Sequence, residues 1–327
     1  AMCALTAVFF AQAHQITLPT SLVASGDTVQ TVRAGLAFTE GPAVDTLGNL
    51  FFTEPFDNEI WKIPPTGGGG VFRSNSNRAN GLVFDSRDRL IACERGQLTR
   101  TETDSTVDTL VTLTGTGDLD ANDLSLASDG GIFFTQPVWG GEGNVYHLSS
   151  AGTLKTLLPS VTGFPNGIEY IEEKDLLYIA YSQRNAVWRY TVGPQNDLLD
   201  SAEFIITSSP DGFAVDAQGN LWIVNNSQSR VTVFDSAGQT LGQIQLESIA
   251  SAQNCAFGGP QNRVFYIAAA TAVFSVRTVV AGRSTRGDVP VGSRPQKKSP
   301  ADVGAVGRLV HARVSAGTVA FTLAVPS

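Results

Sequence analysis

"DGFAVDAQGNLWIVNN", residues 211–226, reads as two short apolar runs around the polar turn Asp216–Asn220. A brief alternating run, a tight turn and a second run rich in β-branched and aromatic residues is the pattern of a β-hairpin. The phrase recurs five times: "EGPAVDTLGNLFFTE" from Glu40, "NGLVFDSRDRLIACE" from Asn80, "NDLSLASDGGIFFTQ" from Asn122, "NGIEYIEEKDLLYIAYS" from Asn166 and "NCAFGGPQNRVFYIAAA" from Asn254. In chain order the six opening residues stand 40, 42, 44, 45 and 43 positions apart. Between the hairpins lie further strand-like pieces, "EIWKIP" (59–64), "NVYHLSS" (144–150), "AVWRYTV" (186–192) and "RVTVFDS" (230–236). Each unit therefore holds about four strands, and a repeat of ~40–45 residues with four strands predicts one propeller blade.

Six units predict an all-β, six-bladed β-propeller over residues 16–283, an arrangement whose radial repetition shields sheet edges. Aromatics at corresponding places, Trp61, Tyr146, Trp188 and Phe234, are expected to pack between neighbouring blades. Closing the ring calls for one blade shared by both ends of the propeller. The stretches 21–38 and 272–280 supply the two partners.

Bulk properties narrow the function. The net charge of −8 over 327 residues argues against a general nucleic-acid binder, which needs a basic face. No apolar run reaches the ~18–20 residues of a membrane-spanning helix. The start, "AMCALTAVFFAQAHQ", is mostly apolar from Met2 to Phe10 and then offers Ala11-Gln12-Ala13. That resembles the end of a secretory signal cleaved after Ala13, so residues 1–15 are expected as a truncated signal and the protein as secreted or periplasmic. The alternative is an ordinary N-terminal strand of a cytoplasmic protein. Cys3, Cys93 and Cys255 fit no metal spacing, and the latter two are expected as small buried hydrophobes. Residues 284–327 carry six Lys/Arg against two Asp and lack strand alternation over 284–307, which predicts a disordered linker; 308–327 could form a marginal hairpin. The tripeptide Arg286-Gly287-Asp288 in this tail is assigned no function.

The residue that opens each unit precedes the innermost strand of its blade. Glu40, Asn80, Asn122, Asn166, Asp211 and Asn254 are thus expected as a polar ring at one end of the central channel. Asn-Gly and Asp-Gly also favour turns, yet Glu40-Gly41-Pro42 holds the same register with a poor turn residue. Oxygen side chains converging on an axis suit a hard cation such as Ca²⁺. The residues alone leave the turn and metal readings both open. Other chemistry is poorly supplied. The three histidines are His14, His147 and His311, there is no G-x-S-x-G elbow, and His147 is expected as a strand residue. "TGGGG" (66–70) lacks the Lys-Ser/Thr of a phosphate loop.

"TEGPAVDTLGNLFFTE", "ANGLVFDSRDRLIACERG", "ANDLSLASDGGIFFTQP", "PNGIEY" followed by "LLYIAYSQRNAVWRY", and "PDGFAVDAQGNLWIVN" closely resemble phrases of the SMP-30/gluconolactonase/luciferin-regenerating-enzyme family of six-bladed propellers. The resemblance runs from about residue 33 to "AVFSVRTVVAG" (272–282). It implies a divalent metal, calcium before zinc or manganese, held by Glu40, Asn166 and Asp211. Asp211 would also accept the proton of a water attacking a small-molecule lactone. Asn122 and Asn80 would orient the substrate. Two departures stand out: Asp120 replaces the arginine of the animal members, and Ala121 the proline of their "PND" phrase. A carboxylate facing the substrate at 120 is expected to weaken binding of anionic or densely oxygenated sugar lactones. A gluconolactonase-like, metal-dependent hydrolase is the reading this implies. The alternative is a non-catalytic, ligand- or protein-binding propeller with a structural metal.

Overall fold

The computed structural model describes residues 14–115, 119–247 and 249–284, and the backbone of 314–315 and 318–319. It divides into two units, residues 1–290 and 291–327. In the second, the described part is one antiparallel pair, Val314–Ser315 with Thr318–Val319, within the stretch expected to form a hairpin. The expected signal before residue 14, the linker from 285 onward and the Arg-Gly-Asp tripeptide lie outside the described residues.

The first unit is a six-bladed β-propeller. Each blade is an antiparallel sheet, and the blades cover residues 40–74, 82–112, 124–161, 165–206, 210–245 and 254–277. Their first strands contact one another in cyclic order, the sixth returning to the first. The polar turns make the hairpins specific. Asp45 Oδ1 accepts from the N–H groups of Leu47 (3.0 Å) and Asn49 (2.8 Å), and Asp216 Oδ1 from Gln218 (2.9 Å) and Asn220 (3.0 Å). Asp85 repeats the pattern with Arg87 and Arg89. An aspartate holding the backbone two and four residues on is a local stitch that fixes the turn before any distant contact forms.

Closure follows the expected route. Gln30–Ala34 pairs with Ala272–Arg277 as the outer strand of blade 6, Gln30 opposite Ser275. A feature not foreseen is a fifth strand on blade 5: Gln15–Ile16 pairs with Thr240–Gln245, Gln15 opposite Gln245. The propeller therefore already includes Gln15, and the boundary drawn after residue 15 falls inside it. Beyond Arg277 the chain runs back over its neighbours. Asp216 bridges Gly282, the Arg283 N–H donates to Val215 O (2.8 Å), and the Arg283 guanidinium reaches Glu173 (2.7 and 3.1 Å) and Tyr170 O (2.9 Å) in blade 4. Residues 278–283 thus tie blade 6 to blades 5 and 4.

The core lies between blades. Trp61 stacks on Phe52 and joins Val273 of blade 6; Tyr146, Trp188 and Phe234 likewise sit in apolar clusters that each unite two adjacent blades. Phe52, Phe133, Phe134 and Phe265 are fully buried, each contributing about 1.5–3 kcal/mol. Cys93 and Cys255 are buried free thiols whose pKa burial pushes well up, so they behave as small hydrophobes.

Candidate active site at the channel mouth

The six opening residues do stand at the start of the inner strands, but the glycine that follows four of them is not there to make a turn. A Cβ on Gly81 would fall 2.6 Å from Asn122 O. One on Gly41 would clash with Asn80 O, one on Gly167 with Asp211 O, and one on Gly212 with the Asn254 side chain. Of these four glycines, Gly41 has a positive φ (+41°). The repeat keeps glycine because adjacent inner strands touch backbone to backbone here. The Gly81 N–H donates to Asn122 O at 2.7 Å, and the hydroxyls of Thr53 and Thr135 donate to Asn80 O (2.9 Å) and Asn166 O (2.7 Å). This replaces the turn reading. Blades 3 and 6 carry Asp123 and Cys255 in the glycine slot.

The inner strands share an irregularity at this point. In blade 1, Glu40 pairs with Thr53 but Ala43 with Phe51; in blade 4, Pro165 with Tyr181 but Ile168 with Ile179; in blade 5, Pro210 with Asn225 but Phe213 with Ile223. Each carries one extra residue, a β-bulge, which bends the strand and re-aims side chains. Blades 2 and 3 carry the same extra residue: the Asn80 N–H donates to Cys93 O (2.8 Å) while the Cys93 N–H donates to Gly81 O (2.9 Å), and Asn122 and Asp123 meet Thr135 in the same way (2.8 and 3.0 Å), whereas blade 6 runs in register from Asn254. The bulges of blades 1, 4 and 5 lie at Glu40, Asn166 and Asp211.

These bulges bring acids together. Burial, then the charges of Asp211 and Asp123, push the Glu40 carboxyl well above the usual carboxylate range. Burial raises Asp211 to about 7 against the pull of Asn226, whose amide donates to Asp211 Oδ2 at 2.8 Å; the Asn166 amide also donates to Asp211. Asp123 is raised to about 7 by burial, opposed by the Leu124 N–H and the Asn254 amide. Asn254 donates to both Glu40 and Asp123, while its oxygen accepts the Cys255 N–H (2.7 Å). It faces the acids as a donor. The Asn166 nitrogen serves Ser182 (3.1 Å) and Asp211, so its oxygen is the atom left for a ligand. Asn80 Oδ1 is buried without a hydrogen-bond partner, an acceptor whose desolvation is uncompensated. Among the described residues, no three His, Cys, Asp or Glu cluster to hold a metal; the convergent set mixes carboxylates with amides.

Two positions before the ring residues stand Phe38, Arg78, Asp120, Phe164, Ser209 and Ala252, a collar of which Ala252 is buried in the core. Asp120 is not a lone carboxylate there. Arg95 Nε lies 2.9 Å and Arg78 Nη1 3.5 Å from its oxygens. The negative spot expected from the sequence is offset by two arginines, one entering blade 2 and one leaving its second strand. Phe38 packs on Phe56 (ring centroids 5.0 Å apart), and Phe164 meets Trp139 edge-on (5.4 Å).

Residues 38–271 match the family model described as SMP-30/gluconolactonase/LRE-like region. The chain belongs to this family. Among curated relatives, a gluconolactonase of Zymomonas mobilis is 24% identical over 297 residues, covering 78% of this chain and 82% of the relative. A pentonolactonase of Haloferax volcanii is 26% identical over 155 residues, 46% of this chain, and the match spans about half (53%) of that relative's length. Of solved structures, the calcium-binding protein regucalcin of Agrobacterium tumefaciens superposes with a TM-score of 0.71 at 17% identity, covering 79% of this chain and 96% of its own, which shows a shared fold.

In this SMP-30/gluconolactonase-family propeller the Asn166 amide donates to Asp211, the Asp211 charge acts on Glu40, and Asn254 donates to Glu40 and Asp123, while Asn80 and Asn122 open blades 2 and 3. Asp123, Asn226 and Glu169 were not singled out from the sequence. Asp123 had a visible mark, an acid where four other units have glycine. Asn226 had none: its role depends on which strand end meets Asp211. Glu169 accepts from Ser125 (3.0 Å) and is raised to about 7 by burial against the charge of Arg283, 3.8 Å away. Beneath the ring a cavity of about 440 Å³ runs from Asp123 and Asn254 past Leu82 and Phe213 to Asn262 and Arg283. His147 is a buried strand residue whose pKa burial lowers, as expected of a structural histidine.

Proposed function

We propose that the chain is a lactone hydrolase that works with a divalent cation held by Glu40, Asn166 and Asp211. The observation that carries this reading is that two carboxylates and an amide, Glu40, Asp211 and Asn166, interact with one another out of water. Buried like charges repel strongly unless a counter-charge joins them. The donors are all oxygen, and the orphaned Asn80 Oδ1 adds a further acceptor, so the residues present fit a hard cation. Calcium is favoured over zinc or manganese on this ground, and the calcium-binding neighbour agrees with it. When bound, the cation supplies the positive charge that polarises the lactone carbonyl and acidifies a water.

The remaining roles belong to the chain. Asn226 holds one Asp211 oxygen and so orients the other towards the channel. Asp211 takes a proton as the water oxygen attacks the carbonyl carbon. The ring C–O bond then breaks, and the ring oxygen leaves as an alcohol after receiving that proton, giving a hydroxy acid. Asn122 and Asn80 orient the lactone from blades 3 and 2, and Asn254 shares its amide between Glu40 and Asp123. Thr53 and Thr135 keep the inner strands at their close spacing. Relatives named for gluconolactone and pentonolactone hydrolysis support a small lactone as substrate. Export is supported by the apolar stretch ending at Ala13, and sequencing the N-terminus of the mature protein checks it.

The test is turnover of a lactone panel, read as acid release, by metal-loaded wild type and Asp211→Ala. Activity that survives the substitution unchanged removes the mechanism. Cation binding without turnover of any lactone favours the scaffold reading instead.

A further inference from the structure

Resting on the lactone-hydrolase reading, we infer that the substrate carries an apolar alkyl or aryl substituent, clasped by two aromatic pairs that face each other across the mouth. The pairs are Phe38 with Phe56, and Phe164 with Trp139. Phe38 and Phe164 occupy the same position, two before Glu40 and two before Asn166, in blades 1 and 4. These blades are three steps apart whichever way a six-membered ring is counted, so the pairs stand on opposite sides. Their partners come from the same end of the channel. Thr53 pairs with Glu40, so the strand Leu50–Glu54 leaves at ring level into the loop bearing Phe56. The Thr135 N–H donates to Asp123 O, so Ile132–Gln136 likewise leads into the loop bearing Trp139.

A further observation points to a ligand. Trp139 and Phe56 are 80% and 63% exposed, and they are the two aromatics among the large apolar side chains that stand exposed in the described residues. Exposed aromatics gathered at one concave mouth mark a binding surface. Phe164 sits at φ +61°, as Arg78 (+58°) and Ser209 (+42°) do at the same position of blades 2 and 5. The repeat sets this backbone, and at Phe164 it carries an aromatic ring although the conformation is uncommon for a bulky residue. The polar part of the collar does not compete for sugar hydroxyls, because Asp120 is matched to Arg78 and Arg95. An alkyl or aryl group finds apolar cover on these rings that a polyhydroxylated lactone cannot use.

The experiment compares kcat/KM of the metal-loaded full chain on γ-butyrolactone, γ-nonalactone and glucono-δ-lactone, with Trp139→Ala and Phe164→Gly as variants. Roughly two- to fourfold gain per methylene covered is expected, so nonalactone should exceed butyrolactone at least tenfold, through KM. Both variants should collapse that ratio towards one. Phe164→Gly relieves the backbone strain and should melt no lower than wild type, which separates lost selectivity from lost fold. Preference for glucono-δ-lactone, or a ratio unmoved by Trp139→Ala, overturns the inference. A chain that hydrolyses none of the three removes the hydrolase reading instead. In that case nonalactone-induced change of tryptophan emission, present in wild type and absent in Trp139→Ala, keeps the clasp, and its lack of effect removes it.

Discussion

Blades 1, 4 and 5 and blades 2, 3 and 6 are built on one repeated phrase, yet they treat its opening residue differently. In the first set Glu40, Asn166 and Asp211 share a buried spot, where the Asn166 amide donates to Asp211 and the Asp211 charge acts on Glu40. In the second every opening residue is an amide: Asn254 donates to Glu40 and Asp123, and Asn80 Oδ1 is buried without a hydrogen-bond partner. The extra backbone residue recurs in blades 1 to 5, so the opening side chain, rather than the backbone, is what distinguishes the proposed ligands from their supports.

The comparison can be broken in several ways. The largest effect is expected from the ring's closure, on which both sets depend. A chain ending at Ser284 should keep its cooperative thermal transition, whereas one ending at Thr271 loses the partner of Gln30–Ala34 and the ties of Arg283, and should show none; equal transitions in calorimetry would contradict this. Next, Asp211→Ala should lower kcat by about 10²–10⁴-fold, the range of a lost proton acceptor, while Asn80→Ala, which removes an amide and no charge, should cost markedly less. Equal losses would erase the distinction between the two sets. Third, Gly167→Ala drives a methyl group into Asp211 O and should destabilise by about 1–3 kcal/mol, measured by denaturant melts; a neutral result would restore the turn reading.

The smallest effect is a pH trend. Glu169 holds its proton up to about 7 in the folded chain against an ordinary value of 4.5. The folded state thus binds more protons than the unfolded one between those values, so this contribution is full below about 4.5 and is lost as pH rises through about 7. Glu169→Gln should flatten that part of the melting-temperature profile of cation-free protein. A slope identical to wild type would assign the trend elsewhere.

Much of this architecture was legible because it is local. The alternation, the Asp-led turns and the ~40-residue period are short-range facts, and they placed six blades and the closing pair Gln30–Ala34 with Ala272–Arg277. The ring positions were legible too, Glu40 most of all, since turn chemistry does not explain a glutamate there. What stayed hidden depends on neighbours far away in sequence. The bulges are defined by pairing with a second strand, the glycines by the carbonyl of the next blade, and the pairing of Asp120 by Arg78 and Arg95. Gln15 was obscured because it directly follows a stretch that resembles the end of a leader segment. Asp123 showed its mark openly, but its meaning required knowing that the glycine slot faces the axis.

The central claim is that three bulged strands hold one ion. A crystal of the calcium-loaded protein tests it most directly. The account predicts a single peak in the density lying ~2.3–2.6 Å from oxygens of Glu40, Asn166 and Asp211 together. A peak that one of them alone touches, or one elsewhere in the propeller, would contradict it.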